Sequence, residues 1–231
     1  SFKSFVFTQS GYKINDNEFT INKISKFKFH KSRDYYDVKN VRIKRDSVND
    51  WWIIITSSKP KEERNYTKSR GGASVGFDFS LPKFLIGSDG SEYNSPLFYY
   101  EMQEEIAKAN RNLSKKKKGS KNRRKAKNNL ARLHRRLKSK REDHQWKLSH
   151  ELCSKYSFIA VEDLNISSMT KMWGKKVSDL SFSDFITKLN HISSKYDTKI
   201  QKIDRWFASS KTCNECGEKN DKLQLFNREW V

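Results

Sequence analysis

Val75-Gly76-Phe77-Asp78-Phe79 is the segment from which the fold of this chain can be worked out. It is an apolar run of strand length, and it contains one carboxylate. The β-branched and aromatic residues around Asp78 predict a buried strand. A carboxylate in such a strand costs free energy unless solvent or a chemical partner compensates it. Asp78 is therefore either a strand-edge residue that points to solvent or a residue with a chemical task, and this segment alone leaves both interpretations open.

The segments that follow this strand alternate between strand and helix patterns. The predicted elements, in chain order, are strands at Phe84–Gly87 and around Tyr93, helices at Tyr99–Ser114 and Asn122–Lys155, a strand at Phe158–Val161, a helix at Ser183–Tyr196 and a strand at Ile200–Ile203. Their order, β-β-β-α-α-β-α-β, predicts an α/β fold with a mixed sheet. A ribonuclease H-like fold has this order, and periodicity alone does not distinguish it from other mixed sheets.

A second carboxylate stands at the end of a predicted core strand. Glu162 follows the apolar run Phe158–Val161, as Asp78 stands near the end of its own strand. Carboxylates at the ends of neighbouring strands make a Mg²⁺ site plausible, since Mg²⁺ prefers oxygen ligands. Asp163 has an alternative role as the N-cap of the turn that follows. Asp204 ends the last strand, and we do not expect it to be a third ligand.

Two cysteines form a knuckle-like motif near the C-terminal side. Cys213 and Cys216 are three residues apart, and Gly217 permits a tight turn, so the motif predicts half of a tetrahedral zinc site. A redox-active pair is the alternative, although no thioredoxin-like pattern surrounds it. Cys153 lies in a helical apolar pattern and is expected to be a buried core residue.

The first 57 residues have the alternation of short antiparallel strands. Tyr12–Ile14 and Phe19–Ile21 flank the turn former Asp16-Asn17, which predicts a hairpin. Further short strands predict a small β-barrel or sandwich with mostly basic exposed positions. Residues 58–73 are polar, contain Pro and Gly, and predict a linker.

The chain has a formal net charge of +21, from 48 Lys and Arg against 27 Asp and Glu. No acidic residue occurs between Arg111 and Arg141, and one-signed helix faces are typical of proteins that bind nucleic-acid phosphates. The predicted nucleic-acid-binding residues are Lys115, Lys116, Lys117, Lys118, Arg123, Arg124, Arg132, Arg135 and Arg136. A general basic surface bias is the alternative. Apolar runs are too short for a membrane span, and no signal peptide is evident, so we expect a cytoplasmic, nucleoid-associated protein.

Five segments together resemble one protein family. They are VGFDFS from Val75, LARLHRRLKSKREDHQWKLS from Leu130, FIAVEDLN from Phe158, RWFASSKTCNECG from Arg205, and FNREWV from Phe226. In order and spacing they are similar to the TnpB/OrfB proteins of insertion sequences, which are relatives of the type V CRISPR effectors. The resemblance implies an RNA-guided, Mg²⁺-dependent DNA endonuclease, labelled a transposase, with a guide RNA from the transposon end and target double-stranded DNA as partners.

The resemblance also assigns residues and domains. It implies that Asp78 and Glu162 are the first two catalytic acids of a RuvC-type two-metal site, and that Cys213 and Cys216 are the first half of a zinc ribbon. The implied domains are a wedge-like β domain at 1–57, a linker at 58–73, a ribonuclease H-like RuvC domain with inserted basic helices at 74–207, and part of a zinc ribbon at 208–231.

The family pattern extends beyond this sequence at both ends. It continues after Val231 with a second Cys pair and a third catalytic Asp, and it begins before Ser1. We therefore expect both metal sites to be incomplete in this chain and DNA cleavage to be impaired. The alternatives are a nuclease-dead module that binds RNA or DNA, and a non-functional relic of a truncated gene.

Overall fold

The computed structural model describes residues 4–8, 10–58, 72–163, 169, 171, 174, 177–204, 211–213, 216–220 and 222. The chain divides into two compact units. The first comprises residues 1–66 and 98–142, and the second comprises residues 67–97 and 143–231. Most of the predicted linker at 58–73, and the turn predicted after Asp163, lie outside the described residues.

The β part of the first unit has two three-stranded antiparallel sheets. Its strands are β1 (Ser4–Phe7), β2 (Tyr12–Asn15), β3 (Glu18–Ile21), β4 (Ser25–Lys28), β5 (Val38–Arg45) and β6 (Trp51–Ser57). The strand orders are β1-β5-β6 and β2-β3-β4. The predicted hairpin is confirmed, since β2 pairs with β3 across a turn in which Asp16 has a positive φ of 47°. The described pairings give two sheets, and their closure into a barrel stays a prediction.

Two helices complete the first unit. Helix α1 spans Phe98–Ser114, and α2 spans Lys121–Lys155, of which residues up to 142 belong to this unit. The hydroxyl of Ser120 accepts a hydrogen bond from the Arg123 amide at 3.1 Å and so caps the start of α2. The two helices share a small apolar core that comprises Met102, Ile106, Ala109, Leu133 and Leu137. The helix predictions are confirmed to within one residue at each end.

The second unit is built on a five-stranded mixed sheet. Its strands are β7 (Ser74–Phe79), β8 (Lys83–Gly87), β9 (Glu92–Asn94), β10 (Phe158–Glu162) and β11 (Lys199–Ile203), in the order β11-β10-β7-β8-β9. β7, β10 and β11 run parallel, whereas β8 and β9 are antiparallel to their neighbours. The predicted mixed α/β sheet is confirmed, and it is consistent with a ribonuclease H-like arrangement. The carboxyl ends of the three parallel strands lie at one edge of the sheet.

One face of this sheet carries the core of the second unit. Helix α3 (Phe182–Tyr196) packs Phe185, Leu189 and Ile192 into it. The end of α2 adds Leu148 and Leu152. Cys153 is a fully buried member of the same cluster, as predicted, and burial raises the pKa of its thiol to about 11. Among the described residues, no helix is long and apolar enough to cross a membrane.

Candidate nuclease centre and nucleic-acid surface

The parallel pairing of β7 and β10 brings Asp78 next to Glu162. Val161 is the partner of Phe77 in the register of this pair, so the next residue of each strand is one of the two carboxylates. The two carboxyl groups are hydrogen-bonded to each other. Both predicted acids therefore meet at the carboxyl edge of the sheet, although 83 positions separate them in the chain.

Alternation along the strands directs both acids away from the core. Phe77 and Phe79 are buried in the core cluster, as are Ile159 and Val161, so Asp78 and Glu162 lie on the opposite face. On that face each acid is preceded, two positions earlier, by a small residue. These two residues, Gly76 and Ala160, are cross-strand partners. Gly76 and Ala160 are half-buried, whereas Asp78 is exposed on this face.

The electrostatics of the pair favour a cation. Partial burial raises the pKa of Asp78 above its ordinary value of 3.8. This effect outweighs the hydrogen bonds from Glu162 and from the Phe79 amide, which lower that pKa. Two carboxyl groups that hydrogen-bond to each other hold a proton between them, and a divalent cation can take that position with a larger charge. The donor set therefore fits a hard metal ion.

The neighbouring acids lie on the other face. Asp163 follows Glu162, and its Oδ1 lies 3.6 Å from the ammonium of Lys202. Ile203 is the partner of Glu162, so alternation places the next residue, Asp204, on the face away from Glu162. Within the described residues, no group of three or more His, Cys, Asp or Glu side chains is arranged to hold a metal.

Backbone hydrogen bonds connect the described residues of the predicted zinc knuckle. The Cys213 amide donates to the Glu218 carbonyl at 2.8 Å, and the Gly217 amide donates to the Cys213 carbonyl at 3.0 Å. Gly217 has a φ of 74°, which is the conformation that favours glycine. Cys216 is exposed, and the two cysteines are not joined by a disulfide. Zinc binding by Cys213 and Cys216 stays a prediction.

Basic residues form a stripe along the first half of α2. At 100° of rotation per residue, four basic residues lie within an arc of about 60° around the helix axis, over a length of about 22 Å. They are Lys121, Lys125, Arg132 and Arg136. All four are exposed, and the apolar residues Leu133 and Leu137 lie on a different side of the helix. Of the other predicted phosphate-binding residues, Lys115, Lys117, Lys118 and Arg124 are exposed and Lys116 is half-buried.

Two of the predicted phosphate-binding arginines have structural partners. Arg123 donates hydrogen bonds to the backbone carbonyls of Leu113 and Lys116, at 3.1 and 3.0 Å. It thereby supplies a hydrogen-bond donor to carbonyl groups at and just after the C-terminal end of α1. Arg135 donates to Asp46 and Asp50, at 2.6 and 2.7 Å. These structural roles were not predicted from the sequence, because the hydrogen-bond partners of Arg123 and Arg135 come from other segments of the chain.

Comparison with known proteins identifies the family. Residues 56–172, about half of the chain, match the OrfB family of IS605-type elements, described as "Probable transposase". The chain belongs to this family. Residues 182–231 of this OrfB-family chain also match a second family, described as "Cas12f1-like, TNB domain".

Curated relatives carry names that agree with this membership. A protein of Streptomyces pristinaespiralis named "Putative RNA-guided DNA endonuclease" is 31% identical over 83% of this chain and 47% of its own length. The "TnpB-like protein L79" of Acanthamoeba polyphaga mimivirus is 28% identical over 79% of this chain and 38% of its own length. The chain thus spans less than half the length of these two relatives.

A solved structure shares the fold. The protein in a cryo-EM structure titled as a Cas12f1-sgRNA-target DNA complex aligns with 81% of this chain and 40% of its own chain, with a TM-score of 0.52 and 17% identity. At this identity the likeness supports the fold alone. The shared fold agrees with the mixed sheet on which Asp78 and Glu162 lie together.

Proposed function

We propose that this chain supplies the nuclease centre and part of the nucleic-acid surface of an RNA-guided DNA endonuclease. The observation that carries the proposal is the contact between Asp78 and Glu162 on the open face of a mixed sheet. The names of the relatives from Streptomyces and the mimivirus support the same class of protein. The domain boundaries drawn from the sequence are part of this proposal, with a RuvC-like domain at 74–207.

Divalent metal chemistry is the reaction that this geometry suits. Bound Mg²⁺ would lower the pKa of a water molecule and stabilise the leaving oxygen in phosphodiester cleavage. Asp78 and Glu162 would hold the ion, and the DNA strand would approach from the face on which Asp78 is exposed. The two carboxylates would supply part of the ligand set of a two-metal site, and phosphate oxygens of the bound strand would add to it.

The basic surface is proposed to hold the nucleic acids. Exposed Lys and Arg side chains on α1, α2 and their connection contact phosphates irrespective of sequence. We propose a guide RNA from the transposon end and target double-stranded DNA as the partners, with binding in the cytoplasm at the nucleoid. Cys213 and Cys216 would contribute two thiolates to a structural zinc site.

The direct test is metal binding. We expect Mn²⁺, observed by electron paramagnetic resonance, to bind the purified chain. Asp78→Asn and Glu162→Gln should each weaken that binding, because a two-carboxylate site loses half of its charge. Asp184→Asn is the matched control, since it removes an exposed carboxylate from the first turn of α3. Binding that both site variants leave unchanged would refute the proposed centre.

The second arm tests the reaction. The chain, and a longer protein that contains it, are each supplied with guide RNA, matched DNA and Mg²⁺. Cleavage that requires the match and disappears in Asp78→Asn would support an endonuclease. Tight RNA and DNA binding with no cleavage in either protein would instead support a nucleic-acid-binding module.

A further inference from the structure

The two carboxylates of the proposed metal centre lie in the middle of a row of side chains that crosses the sheet. Asp78 is the register partner of Ile86 on β8, and Glu162 is the register partner of Ile203 on β11. The pairing of β7 with β10 places the two acids level with each other. In order across the four strands, the row therefore consists of Ile86, Asp78, Glu162 and Ile203.

Both isoleucines lie on the same face of the sheet as the acids. Leu85, which precedes Ile86, is buried in the core cluster, and Ile200 on β11 packs against that cluster. Alternation along each strand therefore directs Ile86 and Ile203 to the opposite face. Ile86 is 36% exposed, and Ile203 is half-buried. An apolar side chain thus flanks the acid pair on each side.

The spacing of this row matches one phosphodiester linkage. Neighbouring strands of a sheet are about 4.8 Å apart, so each isoleucine lies roughly 5 Å across the sheet from the nearest acid. A phosphodiester carries one sugar on each side of its phosphorus atom. A nucleic-acid strand that crosses the sheet along the row, with one phosphate at the acids, would therefore place one sugar over Ile86 and another over Ile203.

The polar groups near the isoleucines are distant or already paired. Ser88 and Gln201 are exposed, but they lie two positions from the isoleucines along the strands, a distance of about 6.7 Å. The Gln201 amide also donates to the Lys202 carbonyl at 3.3 Å. Glu92, the partner of Ile86 on β9, forms an ion pair with Lys83. A neutral hydroxyl that is seated on either isoleucine would therefore exchange water mainly for apolar contact.

We propose that Ile86 and Ile203 are specificity-determining residues, which select deoxyribose over ribose on the two sides of the phosphate at the acid pair. Deoxyribose presents a methylene group at C2′, which can pack on an isoleucine side chain with a gain from apolar burial. Ribose presents a hydroxyl at the same carbon, and a hydroxyl that loses water without a new hydrogen bond is destabilising. The 2′-hydroxyl is the group by which a protein distinguishes RNA from DNA at a given position.

This assignment rests on the proposed function, since it places the phosphate at Asp78 and Glu162. It adds that the choice of DNA is made by two side chains at the centre itself, and not only by pairing with a guide. An RNA-guided nuclease holds both kinds of strand close together. Selection against ribose would therefore direct cleavage to the DNA target and protect the guide RNA.

The test compares two dinucleotides that differ only in their 2′ groups. Thymidylyl-thymidine and its ribose counterpart are titrated into the chain with Mg²⁺, and binding is followed by nuclear magnetic resonance shifts of the β8 and β11 amides. We expect the deoxyribose form to bind about tenfold more tightly. Ile86→Thr and Ile203→Thr supply a hydroxyl partner and remain β-branched, so each should reduce the preference without loss of the strand.

Two further variants serve as controls. Ile86→Val keeps an apolar side chain and should keep the preference, and Ile54→Thr, at an exposed isoleucine of β6, should keep it as well. Equal affinities of the unaltered chain for the two dinucleotides, absent binding of both, or a preference that persists in both threonine variants at the row would overturn the assignment. The amide shifts report binding whether or not a metal is bound, so a preference for deoxyribose without Mn²⁺ binding would refute the metal centre alone.

Discussion

A proton and a divalent cation compete for the carboxyl groups of Asp78 and Glu162. Burial raises the pKa of Asp78, so protons bind there at a higher pH than at an ordinary aspartate. The metal requires the deprotonated pair, and its affinity must therefore fall as pH falls through the raised pKa. Above that pKa the affinity should no longer depend on pH.

This competition gives the first prediction. We expect Mn²⁺ affinity to be measured from about pH 8 down to about pH 4. As the pH is lowered, the affinity should begin to fall at a pH above the pKa range of ordinary carboxyl groups. Each proton that a metal ion displaces contributes about one unit to the slope of log affinity against pH. In Glu162→Gln the affinity should be lower at every pH. An affinity that stays constant down to the ordinary aspartate pKa of 3.8 would contradict the coupling.

Asp46 is a second residue whose charge is important, here for stability. It accepts hydrogen bonds from the amides of Val48 and Asp50, both at 2.9 Å, and from the indole of Trp52 at 3.0 Å. Its other partner is Arg135 on α2, at 2.6 Å. Partial burial opposes ionisation, but these hydrogen bonds dominate and lower the pKa of Asp46 to about 2.

The second prediction is that Asp46→Ala lowers the free energy of unfolding by about 2 kcal/mol, because it leaves several donors of the β5–β6 turn without their acceptor. Since the folded-state pKa is depressed, the stabilisation is complete above the ordinary value of 3.8 and is lost as pH falls towards about 2. Urea unfolding at several pH values measures both effects. Asp34→Ala, at an exposed aspartate, should cause only a small change.

At the scale of elements, α2 combines a structural side with a binding side. Leu133 and Leu137 pack against α1, and Arg135 is anchored to the β5–β6 turn. Among the described residues, the ion pairs of α2 do not include the stripe of Lys121, Lys125, Arg132 and Arg136. That stripe is therefore where charge can be removed with little effect on the fold.

The third prediction follows from this division. Replacing Lys125, Arg132 and Arg136 together by Gln should reduce the slope of log affinity against log salt, by roughly 0.7–0.9 for each lost phosphate contact. The thermal midpoint should change little. Lys138→Gln is the control, because Lys138 lies off the stripe and pairs with Glu142 at 3.6 Å. An unchanged slope in the triple variant would show that the stripe does not contact phosphates.

Elements with a strong local pattern could be predicted from the sequence, and those set by distant pairing could not. The leucine spacing of α2 and the apolar run of β10 identified both elements. β1 was missed because Ser4–Phe7 is short and is fixed by its pairing with β5. Residues 177–180, which are helical, were also missed.

The same distinction applies to the candidate site. Asp78 and Glu162 could be proposed because each stands near the end of an apolar strand, but only the register shows that they meet. Arg123 and Arg135 looked like their basic neighbours, since nothing local reveals a carbonyl or carboxylate partner from another segment.

At the scale of the whole molecule, the net charge of +21 opposes folding. In the compact state the Lys and Arg side chains repel one another, because the chain has too few Asp and Glu side chains to neutralise them. Salt screens that repulsion over a Debye length of about 10 Å at 0.1 M. A bound polyanion removes the same repulsion more effectively, because it places negative charges directly on the basic surface.

The fourth prediction is that salt stabilises the isolated chain and weakens its stabilisation by nucleic acid. Without nucleic acid, the thermal midpoint should rise with salt, since screening relieves self-repulsion. With excess duplex or RNA, the midpoint should be highest at low salt, because a ligand that binds only the folded state adds RT ln(1 + [L]/Kd) and Kd rises steeply with salt. The two curves should therefore converge as salt increases. Thermal scans over a salt series, with polyglutamate as a polyanion control, measure this. A midpoint that falls with salt in the isolated chain would show that the exposed ion pairs outweigh the excess positive charge.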